Sequence, residues 1–372
     1  MTRVLAVRLD SDGDVLLTGP AIRALGRLGH PVDVLASPAG SAAARLLPGV
    51  DEVLEFAAPW SGVAPPEVDP VATHRLIATL ADRDFTTAVI FTSFHQSPLP
   101  MALLARLAGI GHIAATSADY PGTLLDVRHH RADPPGGGHE VEAALALAAA
   151  AGAPPAVGAE RLLAVRRPLP PVPPALEGER YVVLHPGASV PSRALRPDHA
   201  AELTAALVRS GRRVVLTGGP GERDLVLRAR HGALTILGAD GSRWRGTAAD
   251  ALVDLAGRTD LAGLAAVLEA ADCAVVGNTG PAHLAAAVGT PVVSLFSPVV
   301  PALRWAPYGV PTVVLGDQHA ACRDSRARQC PVPGHPCLSG VTPEEVVAAV
   351  DELGGPTAAT ATPLTGGHRC AS

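Results

Sequence analysis

Short apolar runs alternate with helix-patterned stretches from the first residues of this chain, and the alternation restarts after a proline-rich interruption. Residues 4–7, 31–35, 52–56 and 88–91 read as strands, separated by helical patterns over 14–28, 42–47, 72–82 and 100–108. A helix over 141–151 closes the series. Beyond the interruption, strands are predicted over 181–184, 213–217, 273–276 and 292–296, with helices over 199–209, 224–230, 264–269 and 282–287. Strands that are apolar throughout, rather than at alternate positions, belong to parallel sheets covered on both faces. Two doubly wound α/β halves are the architecture this pattern predicts.

The interruption is Arg167-Pro168-Leu169-Pro170-Pro171-Val172-Pro173-Pro174, a segment that favours extended polyproline II and acts as a semi-rigid spacer. A surface loop within one domain is the alternative reading. The spacer reading divides the chain into domains at 1–166 and 176–353, a linker at 167–175 and a disordered Gly/Pro/Ala/Thr tail at 354–372. The last helix is predicted over 342–353, with Thr342 as N-cap, Pro343 at the first helical position and Glu345 completing a capping box.

Hydrophobic content of 48% excludes a disordered polymer. A formal charge of -5 argues against long-range attraction to nucleic acid. The sequence has no lysine, so any cation that meets a phosphate must be arginine. There is no signal-peptide h-region and no uninterrupted apolar span. The five cysteines are an odd number, and reduced thiols in a cytoplasmic protein are the expectation.

Four stretches stand where strands meet helices, the ligand-binding edge of open α/β sheets. In Ser11-Asp12-Gly13-Asp14, Gly13 permits a sharp turn, and Asp14 reads either as a helix-start charge or as a carboxylate placed to take a proton. In His185-Pro186-Gly187-Ala188-Ser189-Val190-Pro191-Ser192-Arg193, backbone amides around Gly187, the Ser189 hydroxyl and Arg193 suit a phosphate; an ordinary βα loop is the alternative. In Thr217-Gly218-Gly219-Pro220-Gly221-Glu222 the spacing is not GxGxxG, and Glu222 suits ribose hydroxyls or a first-turn helix charge. In Gly277-Asn278-Thr279-Gly280-Pro281-Ala282-His283, a strand end runs into a helix start. Its backbone amides make a diphosphate cradle with His283 nearby.

As a set, these motifs resemble glycosyltransferase family 9, the ADP-heptose:lipopolysaccharide heptosyltransferase family. Further marks are Arg23-Ala24-Leu25, Leu255-Ala256-Gly257-Arg258-Thr259 and His283-Leu284-Ala285. The resemblance runs from Arg3 to Leu353. It implies a GT-B fold, two Rossmann-like domains facing across a cleft, the first holding the acceptor and the second the nucleotide sugar. It further implies inverting transfer without a metal or other cofactor. Asp14 would be the general base; Ser189 and Arg193 would contact the diphosphate, Glu222 the ribose, and Thr279, Gly280 and His283 the phosphates and sugar. Gly13, Gly187, Gly218 and Asn278 would support the loops. Family members commonly carry Lys where Arg193 stands, Trp where Leu195 stands and Asp where Asn278 stands. The implied partners are a nucleotide sugar and a glycan, glycolipid or small-molecule acceptor, with peripheral membrane association open. A nucleotide-sugar epimerase and a non-catalytic nucleotide-sugar binding module are the alternatives. Separately, His319, Cys322, Cys330, His335 and Cys337 crowd nineteen residues. Cys322, Cys330, Cys337 and His335 form a candidate zinc set, although no CxxC pair is present; plain loop thiols are the other reading.

Overall fold

A computed structural model describes residues 3–62, 64–93, 95–133, 138–239 and 249–354. Two compact units, Met1–Arg167 and Pro168–Ser372, divide the chain within its proline-rich segment. The sequence expectation of a disordered tail falls on residues 355–372, which lie outside the described residues. No helix among the described residues is long and apolar enough to cross a membrane.

The first unit runs β1 (Arg3–Arg8), α1 (Asp12–Gly26), β2 (Val32–Ala36), α2 (Ser41–Leu46), β3 (Val50–Glu55), α3 (Pro70–Ala81), β4 (Phe85–Phe91), α4 (Leu99–Leu107), β5 (His112–Thr116), β6 (Val127–His129) and α5 (Glu140–Ala150). Its strands form one parallel sheet in the order β3-β2-β1-β4-β5-β6. In register, Val7 of β1 lies between Leu35 of β2 and Ile90 of β4. Leu5, Val7, Leu35, Ala88 and Ile90 are essentially solvent-free and anchor one face of this sheet's core.

The second unit repeats the plan. It contains β7 (Val182–His185), α6 (Pro197–Arg209), β8 (Val214–Leu216), α7 (Arg223–Ala239), β9 (Leu252–Asp254), α8 (Leu261–Glu269), β10 (Cys273–Gly277), α9 (Gly280–Val288), β11 (Val292–Leu295), α10 (Ala302–Trp305), β12 (Thr312–Leu315), α11 (Pro336–Ser339) and α12 (Pro343–Leu353). The sheet order is β12-β11-β10-β7-β8-β9, again parallel throughout. The predicted capping box is in place. Thr342 Oγ1 accepts from the Glu345 amide at 3.2 Å, and the Glu345 carboxylate accepts from the Thr342 amide at 2.6 Å.

The sequence reading finds every strand at the centre of the two sheets except β5, and misses β5, β6, β9 and β12. β6, β9 and β12 are edge strands of three or four residues, and most of their positions are only partly buried. Such strands lack the continuous apolar run that marks a strand covered on both faces. β5 reads His-Ile-Ala-Ala-Thr, and small alanines give weak strand signal. Helix α7 extends well past its predicted end, since Gly232 sits inside it rather than ending it.

One charge interrupts the apolar interior of β2. Asp33 is fully buried. Its carboxylate accepts from Arg3 Nε at 3.0 Å, from Arg3 Nη2 at 2.5 Å and from the Glu52 amide at 3.2 Å. The guanidinium thereby ties β1 to β2, and through Asp51 it reaches β3. Removing Arg3 would leave the buried Asp33 carboxylate without its hydrogen-bonding cation, with only Arg83 Nη1 at 3.9 Å as a distant one, which costs far more than the pair is worth. Arg3→Ala should therefore lower unfolding free energy by about 3 kcal/mol. The double variant Arg3→Ala/Asp33→Asn should regain much of that, because no charge is then buried. Urea denaturation of both checks this, and equal losses in the single and double variants would count against it.

Candidate active site

In a parallel sheet wound first one way and then the other, loops at the carboxyl ends of the two central strands separate and leave a crevice. That reversal falls between β1 and β4 in the first unit and between β7 and β10 in the second. Three of the four stretches singled out from sequence occupy these two places; the stretch from Thr217 to Glu222 follows β8, the neighbour of β7.

In the first unit, Asp14 lies in the opening turn of α1, with its side chain about one-fifth exposed. Arg8, the last residue of β1, is 3% exposed. Arg8 Nη2 donates to Asp14 Oδ1 at 3.1 Å and to Ser93 Oγ, just after β4, at 3.0 Å. The Ser11 hydroxyl donates to Asp14 Oδ2 at 2.9 Å. Arg8 Nε stands 3.0 Å from Asp10 Oδ2, an ion pair without hydrogen-bond alignment. The other Asp10 oxygen accepts from Gln96 Nε2 at 2.6 Å and from Ser61 Oγ at 3.2 Å. Glu140, at the start of α5, is 5% exposed and accepts from Arg131 at 2.7 Å.

One buried guanidinium thus stands among several carboxylates. Burial pushes the Asp10 carboxyl up, with Arg8 opposing and Asp14 adding to the rise. Burial likewise pushes Glu140 up against the pull of Arg8 and Arg131. Burial disfavours the charge on Arg8, but Asp10, Asp14 and Glu140 outweigh it and hold the guanidinium protonated. Sequence reasoning found Asp14 and missed Arg8, Asp10, Ser93, Gln96 and Glu140. A charged residue closing an otherwise apolar strand was the available signal.

In the second unit, the loop after β7 and the loop after β10 meet. A Cβ on Gly277 would stand 2.8 Å from the Arg193 carbonyl oxygen, so only glycine lets these backbones approach. A Cβ on Gly187 would overlap the Glu222 carboxylate at 2.2 Å, so a larger residue there would displace that side chain rather than a backbone. Thr279 is the N-cap of α9, yet no side chain caps the helix. The positive end of α9 therefore points out of the carboxyl edge of the sheet with Thr279 and Gly280 half-exposed. His283 follows in the first turns of the helix and is 5% exposed. Asn278 works as loop support: its amide donates to the Ser297 carbonyl and accepts from the Ser297 amide, each at 3.1 Å, fastening the end of β10 to that of β11. Ser189 is exposed on the loop after β7, and Arg193 is half-buried at its end.

Glu222 has a structural occupation of its own. Its Oε2 accepts from the Gly219 amide at 2.6 Å and lies 3.5 Å from His185 Nε2, while His185 Nδ1 shares a 3.0 Å hydrogen bond with Thr217 Oγ1. Gly218 lies against the Glu222 side chain. The carboxylate therefore joins the ends of β7 and β8 whether or not it also meets a ribose.

The cysteine segment forms a strap over the same loop. The Ser192 amide donates to the Arg328 carbonyl at 3.0 Å, its hydroxyl to the Ala327 carbonyl at 2.5 Å, and its carbonyl accepts from His335 Nε2 at 3.0 Å. The imidazole of the candidate zinc set is thus tied through Nε2 to Ser192. Among the described residues no group of three His, Cys, Asp or Glu is arranged to hold a metal ion. Cys322 and Cys337 are buried, and burial pushes the Cys337 thiol up to about 11. Cys322 and Cys337 are core-facing side chains of the strap, while Cys330 is half-buried with its thiol donating to the Val332 carbonyl at 3.3 Å.

A model of glycosyltransferase family 9 (heptosyltransferase) matches residues 73–335, well over half of the chain. The chain belongs to glycosyltransferase family 9. Lipopolysaccharide heptosyltransferase 3 of Escherichia coli is 30% identical over 181 residues, which make up 47% of this chain and 47% of that protein. The match thus spans about half the length of that curated relative. The structure of E. coli ADP-heptose lipopolysaccharide heptosyltransferase II superposes with a TM-score of 0.68 at 21% identity, covering 95% of this chain and 98% of that one. E. coli heptosyltransferase WaaC with ADP-2-deoxy-2-fluoro heptose gives 0.64 at 23% identity, covering 94% and 99%. This family 9 glycosyltransferase therefore has the GT-B fold, and its two six-stranded parallel sheets are those expected from the resemblance.

Glu222 gives the site a measurable pH signature. Burial would raise its carboxyl, but His185 and the Gly219 amide outweigh that and hold it below the usual 4.5. A carboxyl lowered on folding stabilises above its unfolded pKa and loses that contribution as pH falls through the folded value. The stability advantage of wild type over Glu222→Gln should therefore be full at pH 6 and shrink below about pH 4.5. Thermal melts of both proteins across pH 3–7 read this directly. A pH-independent difference would detach Glu222 from His185.

Proposed function

We propose that this family 9 glycosyltransferase moves a heptosyl group from ADP-heptose to a hydroxyl of a saccharide acceptor, with inversion and without a metal. The observation that carries the proposal is the junction in the second unit, where a helix N-terminus without a side-chain cap, the backbone approach that Gly277 permits and Arg193 converge at the sheet reversal. Such a junction suits a diphosphate: helix-end amides and a guanidinium stabilise the negative charge that grows on a departing nucleoside diphosphate. The relatives named for ADP-heptose support the donor, and the lipopolysaccharide in their names supports a glycan acceptor. A lipid-linked saccharide or a secondary metabolite has the same reacting group.

In this reading the acceptor oxygen attacks the anomeric carbon as the bond to the donor phosphate breaks. The leaving ADP keeps the bonding pair, and Asp14 takes the hydroxyl proton. Ser189 and Arg193 meet the diphosphate, Thr279, Gly280 and His283 the phosphates and sugar, and Glu222 a ribose hydroxyl through its remaining acceptor capacity. The first unit is then the acceptor domain and the second the donor domain.

Two variants test the two halves of the reading. Arg193→Ala should weaken ADP binding by about 1.5–3 kcal/mol, the range for a charge-assisted hydrogen bond. Titration calorimetry with ADP checks it, and equal affinity would remove Arg193 from the donor site. Asp14→Asn keeps shape and hydrogen bonding but cannot accept a proton. It should cut transfer from ADP-heptose by about 10²–10⁴-fold while leaving ADP affinity and melting temperature nearly unchanged. Unchanged transfer would make Asp14 a helix-start residue only, and isomerised donor without acceptor would point to an epimerase.

A further inference from the structure

We propose that Asp10 is a positioning residue, the standby counter-ion that keeps Arg8 paired when Asp14 takes a proton. The proposal rests on the reading of Asp14 as the base and adds what makes that role physically possible.

Arg8 is buried to 3% exposure at the carboxyl end of β1. A carboxylate held by such a cation resists protonation, because the proton would strand a buried positive charge. Asp14 has Arg8 Nη2 at 3.1 Å as a hydrogen-bond donor. If Asp14 were the only counter-ion of Arg8, the pair would make a poor base. The structure supplies a second. Asp10 stands 3.0 Å from Arg8 Nε, 8% exposed, and is fastened by Gln96 and Ser61 on its far oxygen. When the acceptor hydroxyl gives up its proton and bonds the anomeric carbon, the proton resides on Asp14 and ADP leaves with the electron pair. Arg8 then keeps Asp10.

The two carboxylates flank one guanidinium, so each is also a repulsive neighbour of the other. Removing either partner should move Asp14 in opposite directions. Without Asp10, Asp14 loses a like charge and has more of Arg8 to itself, so its affinity for a proton falls. Without Arg8, Asp14 faces Asp10 uncompensated, and its affinity for a proton rises. Other described groups facing the cluster are the Ser93 hydroxyl after β4, Ser11 just before α1, and Glu140 of α5, which is held by Arg131, a guanidinium that also pairs with Asp133. Asp12, on α1, is turned to the Ala43 amide at 2.9 Å and takes no direct part.

The test is the Asp14 carboxyl ¹³C titration in Asp-labelled full-length protein, the resonance being assigned by its loss in Asp14→Asn. The same variants are assayed for kcat against pH with ADP-heptose. Asp10→Asn should lower the Asp14 midpoint by about one unit and reduce kcat severalfold at neutral pH. Arg8→Met should raise the midpoint by one unit or more, and Arg8→Lys should return it most of the way. Should Arg8→Met fail to fold, Asp10→Asn and Arg8→Lys carry the test alone. Movement of neither midpoint, or movement in the same direction, overturns the proposal, since a merely structural network would lower stability without that opposition. The titration needs no turnover. A correct pattern of shifts with no transfer from ADP-heptose would therefore fault the donor reading and leave the charge coupling standing.

Discussion

A parallel strand covered on both faces can offer unpaired polar groups to a site only at its ends; Asp33 inside β2 is admitted because Arg3 and the Glu52 amide hold it. That constraint arranges both halves of this glycosyltransferase. After Arg3, which is held by Asp33, β1 is apolar until Arg8, and β7 is apolar until His185. The winding reverses beside each of them, so the loops of β4 and β10 come to the same edge as those of β1 and β7. The candidate site residues gather at those strand ends, joined by Glu140 from α5 and by Glu222 from the loop after β8.

The two edges solve opposite electrostatic problems. Around β1 and β4 an excess of carboxylate is gathered about a single buried cation, which suits a group that must accept a proton. Around β7 and β10 the field comes from backbone: a helix start without a side-chain cap and loops brought into contact at Gly277. The Glu222 carboxylate near that second edge is engaged by the Gly219 amide and lies beside His185.

How much of this was legible in the sequence follows from the same constraint. Central strands announce themselves because both faces are buried, and the strand-to-helix junctions that carry Asp14, Arg193 and Asn278 could be located from them. The edge strands β6, β9 and β12 could not, because half-buried three- and four-residue segments carry no run. Within the site, residues next to glycine-rich turns stood out. Partners supplied from far along the chain did not: Ser93 and Gln96 reach the Asp14 edge from the loop after β4, and Glu140 from α5. Spacing along one chain does not reveal which loops a sheet will bring together. The cysteine segment shows a different limit: its residue types left zinc and plain loop thiols both open, and the tie from His335 to Ser192 was not legible from spacing.

That strap explains how a loop without regular structure can hold Arg193 in place. Three of the four non-glycine residues with positive φ among the described residues lie in it: Asp324, Arg326 and His335. Left-handed backbone at such residues costs about 1–3 kcal/mol each and persists only where surrounding contacts over-determine it. Here the strained residues are the ones that make the ties. The Asp324 amide donates to the Pro298 carbonyl at 2.9 Å, the Arg326 amide to the Val299 carbonyl at 2.8 Å, and His335 Nε2 meets the Ser192 carbonyl at 3.0 Å. The strap thus joins the loop after β11 to the turn that ends in Arg193. A guanidinium presents its donors in a fixed fork, unlike the swivelling ammonium of a lysine, so its value to a diphosphate depends on how well its backbone is held. A rigidly tied Ser192 is the local condition under which arginine can serve at this position.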